Sequence, residues 1–114
     1  MKGILINSTD KTVTEIEVDG TLESFYKALD VEMIEAVSVP GFGLANGSSH
    51  IMYVDEEGLL KPSHKQTWFK LEGVGQQVFE GNGLILGMDY EEGEEKDCTI
   101  DLMSIKIRTH FTGK

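Results

Sequence analysis

Cysteine is nearly absent: Cys98 is the single one among 114 residues. No intramolecular disulfide can form, a thiolate metal site has at most one sulfur, and a reducing intracellular setting is the expectation. Long apolar runs are lacking too. The opening "MKGILINSTDKTV" turns polar at Asn7, before a signal segment is complete, and no stretch approaches the roughly 18 apolar residues of a membrane helix. Neither export nor a membrane anchor is expected. Basic residues are the third shortage, ten against twenty acidic ones, for a formal net charge of −10. That field repels nucleic acid and anionic lipid, and nowhere do Lys and Arg cluster enough to reverse it. Direct nucleic-acid binding is disfavoured, and a basic protein partner is suited.

The residues present read as one domain over residues 1–114, with 39% hydrophobic and 26% charged residues. "GILINSTDKTVTEIEVDG" pairs two β-branched runs around a turn-forming "NSTDKT", a hairpin whose second arm buries Ile16 and Val18 and turns Glu15 and Glu17 to water. Thr21 is placed to cap a short helix from Leu22 to Leu29, where Leu22, Phe25, Tyr26 and Leu29 recur at helical spacing. "VEMIEAVSV" and "HIMYV" are two further strands.

Between those strands lie Gly41, Gly43 and Gly47. A dinucleotide or Walker loop requires a helix after the glycines, and the Walker loop also a Lys. Gly47 leads instead into "SSHIMYV", a strand-like run, so a hairpin connection with Asn46-Gly47 at its turn is the expectation. Ser49 keeps open the gripping of a small anion. Farther on, Pro62, Gly73 and Gly75 make the segment from Lys61 irregular, and Leu84, Ile85 and Leu86 form a buried strand. "DYEEGEEKD" reads as a solvated acidic loop. The tail has a brief turn or helix near Thr99 to Met103, then a strand with Ile105 and Ile107 inward and Lys106 and Arg108 outward. The fold class is α+β: a curved, mainly antiparallel sheet of five to six strands carrying one clear helix and a short second one. The last strand offers an edge for a homo-oligomer.

Catalytic and metal chemistry find little footing. Cys98 follows Asp97, whose charge opposes a thiolate. His50, His64 and His110 sit in different predicted elements at no metal-ligand spacing. Counted from Asp89, Gly93 is fifth, where a calcium loop needs glycine sixth. No catalytic residue, metal or cofactor is expected. A binding site is: Trp68 and Phe69 with His64, Lys65 and Lys70 combine aromatic faces with positive charge, and together with Arg108 and His110 on the last strand they line a pocket for a small anionic nucleotide. The competing reading caps the core with Trp68 and Phe69 under snorkelling lysine stems.

"KGILINSTDKTVTEIEVDGTLES", "MYVDEEGLLK" and "FEGNGLILGMDYEEGE", in this order over nearly the whole chain, resemble a family of small domains carried by bacteriophages and other mobile elements, domain of unknown function 3846. The sequence departs from it in the glycine-rich forties and the tail "KIRTHF". The resemblance implies no reaction, cofactor or site residue; it implies a small cytoplasmic protein of an infected or element-bearing bacterial cell. Within that context the residues support two expected functions: the basic aromatic segment and glycine-rich loop, a non-enzymatic, host-directed binding protein that sequesters a small nucleotide-like ligand, as in counter-defence; the net charge and carboxylate loops, an acidic inhibitor or adaptor on a basic face of a host protein.

Overall fold

The central strands carry apolar residues at successive positions, so both of their faces need covering, and the chain covers both by stacking three layers. The computed structural model describes residues 1–40, 49–56, 67–75 and 77–113. In chain order the elements are β1 (Lys2–Asn7), β2 (Thr12–Glu17), α1 (Leu22–Leu29), β3 (Ile34–Val39), β4 (His50–Asp55), β5 (Thr67–Leu71), β6 (Phe79–Glu80), β7 (Asn82–Asp89), β8 (Glu94–Lys96), α2 (Leu102–Arg108) and β9 (Thr109–Gly113). The larger sheet runs β2-β1-β7-β4-β3, with β8 also paired to β7, and the smaller runs β6-β5-β9; every pairing is antiparallel. The expected α+β architecture is present, with a second sheet that the sequence pattern does not separate from the first.

α1 lies over β7 and β4 on one face of the larger sheet, where Phe25 and Leu29 meet Ile51, Tyr53, Leu84 and Leu86. The smaller sheet and α2 cover the other face, with Phe69, Leu71, Phe79 and Ile105 against Ile4, Ile6, Met52, Val54 and Ile85. β7 is thus buried on both sides, which is why "LIL" is apolar without alternation. The chain turns from the smaller sheet into the larger at Gly81, whose φ of +82° favours glycine. Gly81 N–H donates to the Thr67 carbonyl at 3.0 Å, and the Ser8 and Thr67 hydroxyls bond at 2.9 Å, tying the two sheets at that corner.

α1 begins where the capping chemistry places it. Thr21 Oγ1 accepts from the Ser24 N–H at 3.2 Å, and its span matches the expected Leu22 to Leu29. Val18 is buried, and Ile16 is half-buried against the same cluster. The expected strand at residues 31–39 begins at Ile34 and pairs with β4 from Ile34↔Asp55 to Val39↔His50, so these two strands are antiparallel neighbours. The glycine-rich turn itself, including Asn46-Gly47, lies outside the described residues. Among the described residues no helix is long and apolar enough to cross a membrane.

Three expectations are corrected. Residues 67–71 are a regular strand, with Thr67, Phe69 and Leu71 buried in alternation; the nearby glycines belong to the next turn, where Gly73 and Gly75 have φ of +92° and +64°. The acidic "DYEEGEEKD" is a tight hairpin whose return arm is β8. In the tail, residues 102–108 are helical and the strand starts only at Thr109. Leu102, half-buried, and Ile105, buried, repeat at three residues, the helical spacing, while in "SIKIR" the alternation mimics a strand. The helix turns Ile107 away from the core, and it is 65% exposed.

Ile105→Ala is therefore expected to cost about 2–5 kcal/mol in urea unfolding, whereas Ile107→Ala stays within about 0.5 kcal/mol. Equal losses at the two positions would restore the strand reading of the tail.

Candidate functional site

The site starts from an absence of side chain. Gly87 pairs with His50 across β7 and β4 and with Lys96 across β7 and β8. A Cβ at Gly87 would lie 2.5 Å from the Asp97 carbonyl oxygen, so only glycine lets the chain leaving β8 cross this closely. The crossing is pinned to β1 by two bonds of 2.8 Å, Lys2 N–H to Asp97 Oδ1 and Cys98 N–H to the Lys2 carbonyl. It delivers Thr99 to His50, whose Nε2 accepts the Thr99 N–H at 3.1 Å with the Thr99 hydroxyl at 3.2 Å. Because a backbone N–H can only donate, Nε2 carries no proton in this arrangement and the ring is held neutral. At 2% exposure His50 forms the floor of the cleft and is not a free base.

Above it opens a cleft of about 620 Å³, walled by Ser49, Asp89, Tyr90, Glu91, Asp97 and Thr99. The β7–β8 turn that forms one wall is held by its own hydrogen bonds. Asp89 Oδ1 accepts the N–H groups of Glu91 at 3.0 Å and Glu92 at 3.2 Å, Gly93 N–H donates to the Asp89 carbonyl at 2.7 Å, and Lys96 Nζ lies 3.1 Å from Asp89 Oδ2. The Glu92 amide first, then the Lys96 ammonium, hold the Asp89 carboxyl below its ordinary range. With Lys96 thus occupied, the remaining lining charges, Glu91 and Asp97, are negative, and Tyr90 stands 58% exposed at the rim.

Behind the turn, Tyr53 donates its hydroxyl to Glu95 and stacks on Phe25 with ring centroids 5.4 Å apart. Burial, then the hydrogen bond to the carboxylate, push its phenol well above the ordinary value. Cys98 is fully buried, and burial raises its thiol; the principal cause is desolvation and not the neighbouring Asp97. Its Sγ points toward the Ile100 carbonyl at 3.9 Å.

The residues singled out from the sequence do not converge on this cleft. Ser49 lines it. Phe69 is a core residue with no exposure, its ring 5.4 Å from that of Phe79, so it has no face to offer a ligand. Trp68 and Lys70 alternate with it on the outer face of β5, opposite Thr112 and His110 of β9, so the tail and the aromatic segment do share one sheet. That face is not purely basic: His110 pairs with Glu72, and Glu80 stands opposite Trp68. Arg108 ends α2 instead of lying on the last strand, and donates from its guanidinium to the Ser104 carbonyl at 2.9 Å. His64 and Lys65 lie outside the described residues. Thr99 and Tyr90 escape sequence reasoning; the available signal is glycine at 87, next to the buried run and in register with His50.

Residues 1–112 match the family model described as "Domain of unknown function (DUF3846)". No curated protein and no solved structure matches the chain.

Gly87→Ala is expected to lose about 1–3 kcal/mol of stability, because the added methyl must push the Asp97 carbonyl away. The histidine ring resonances of His50 report the accompanying loss of its Thr99 bond; an unchanged His50 signal would contradict the crossing. The second expectation concerns alkaline pH. A phenol raised in the folded state stabilises fully below its unfolded value of 10.0, and that contribution is lost as pH climbs through the folded value. Stability should therefore decline above pH 10 in wild type and decline less steeply in Tyr53→Phe, measured by urea unfolding across that range.

Proposed function

The chain belongs to the DUF3846 family, and from that premise we propose that it works as a binding protein without catalysis, in the cytoplasm of a bacterial cell carrying a phage or mobile element, where it docks on a basic face of a host protein. The observation that carries this is the pairing of a preorganised, acidic turn with an exposed aromatic beside a cleft. Asp89 fixes the turn, Tyr90 projects from it, and Glu91 and Asp97 give the cleft walls negative charge. A lysine or arginine side chain entering there meets carboxylates and the face of a tyrosine together, a combination worth about 0.5–2 kcal/mol from the ring alone. Little ordering cost accrues on binding, because the turn is already held by its own backbone bonds.

The net charge of −10 supports the same choice, since it steers basic partners inward from a distance. The alternative pocket for a nucleotide-like ligand, built on Trp68 and Phe69, loses support because Phe69 is interior and the outer face of β5 carries mixed charge. Neither His50 nor Cys98 supplies a motive for chemistry. The former has its Nε2 lone pair engaged by Thr99, and the latter is buried with its thiol raised.

Affinity capture from bacterial lysate, repeated at low and high salt, tests the reading. A specific partner should be retained at low salt and released at high salt, and Tyr90→Ala should weaken it about tenfold, the loss typical of an aromatic contact at the centre of an interface. A partner held equally at both salt levels, or held equally by Tyr90→Ala, would sink the proposal.

A further inference from the structure

We infer that a second cleft, between the edge strand β2 and α2, binds a small phosphate-bearing ligand with a planar ring, of the nucleotide class. It measures about 340 Å³ and is lined by Lys11, Thr12, Val13, Thr14, Lys106 and Phe111. In a chain with twice as many acidic as basic residues, this lining holds two ammonium groups and no carboxylate.

Two of the described lysines are spent elsewhere. Lys2 pairs with Glu15 and Lys96 with Asp89, whereas neither Lys11 nor Lys106 has an ion-pair partner among the described residues. The carboxylates next to the cleft in sequence are engaged as well. Asp10 accepts from the Asn7 side-chain amide at 3.2 Å while its own N–H donates back to Asn7 Oδ1 at 3.0 Å, and Glu15 faces Lys2. Two like charges thus share one concavity with no carboxylate among the described residues paired to them, an arrangement that an entering dianion relieves.

The backbone gives a second indication. Lys11 has a φ of 57°, the left-handed region in which a side chain is disfavoured and glycine is at ease. The hairpin turn would close more easily with glycine there, yet the position carries an ammonium group at the lip of the cleft. Thr12 and Thr14, both exposed, add hydroxyl donors next to it. Phe111 is half-buried: it packs on the core with Ile105 and still lines the cleft, which leaves part of a fixed aromatic ring for a base to stack on. Paired ammonium groups suit a diphosphate, hydroxyls satisfy its remaining oxygens, and the volume falls at the lower end of small-molecule sites.

This cleft shares no lining residue with the one beneath the β7–β8 turn, so the two proposals stand or fall separately. The test titrates adenosine diphosphate and inorganic pyrophosphate into the intact protein at matched ionic strength, following backbone amide shifts. Saturable shifts should gather at residues 11–14, 106 and 111, with the nucleotide binding about fivefold tighter than pyrophosphate through its ring. Lys11→Gly with Lys106→Gln should reduce both affinities at least about tenfold. Both changes suit their backbone positions, so the double variant is expected to fold. Phe111→Leu should reduce nucleotide affinity to that of pyrophosphate and leave pyrophosphate unchanged. Absence of saturable shifts, shifts gathered at another surface, or unaltered affinity in the lysine double variant would overturn the site, and equal affinity for both probes in wild type would overturn its assignment to nucleotides.

Discussion

The structure depends on how closely other chain segments approach β7. This strand is buried on both faces and pairs with β1, β4 and β8, so every layer is positioned against it. Its glycines set the distances. A Cβ at Gly83 would lie 2.7 Å from Phe69 Cζ and 3.1 Å from Met52 Sδ, and one at Gly87 would lie 2.5 Å from the Asp97 carbonyl. Gly83, Ile85 and Gly87 share one face by the two-residue repeat. On that face Ile85 supplies bulk between two points where bulk is forbidden. Gly83 admits the smaller sheet through Phe69, and Gly87 admits the crossing chain that brings Thr99 to His50. Leu84 and Leu86, pointing the other way, have room to meet α1 because no such crossing occurs there.

A division of the charged residues results. With both faces of β7 apolar, carboxylates are kept out of its interior, and the turn ending β7 receives a dense group of them. Repulsion there is offset locally: Asp89 is satisfied by two backbone N–H groups and an ammonium, and Glu95 by the Tyr53 hydroxyl. Those bonds consume donors and one cation, so the cleft above His50 retains its negative walls. By the β2 edge the distribution is inverted, because Glu15 and Asp10 are occupied, whereas Lys11 and Lys106 have no ion-pair partner among the described residues. Local pairing, more than total charge, therefore decides which sign each concavity presents.

Elements whose signals are local are legible in the sequence. The span of α1 follows from Thr21 and a helical stripe, the first hairpin from its turn residues, and the buried β7 from an unbroken "LIL". The tail is harder, since in "SIKIR" Ile105 and Ile107 are two apart and satisfy the strand period, and only the packing of α2 on β2 separates the alternatives. For β5 the difficulty is similar: the turn glycines after it lower the weight of a short run whose inward residues are Thr67, Phe69 and Leu71. Of the expected site, Ser49 reaches a cleft, whereas Phe69 is core, because an aromatic in "TWFK" cannot reveal which way the strand faces until its partners are known.

The sites themselves are less legible than the fold for a definite reason. A core position imposes a requirement on its own side chain, and that requirement is visible as hydrophobicity. The first cleft arises where a side chain is missing, at Gly87, and where two separate segments, β7 and the chain around Thr99, are folded back upon each other. The second arises between a hairpin arm near the start of the chain and a helix near its end, so Lys11 and Lys106 meet across almost the whole sequence. Neither meeting leaves a spacing to read. Each is a consequence of β7 fixing the order of strands, which carries the loops and edges to places their own residues do not specify.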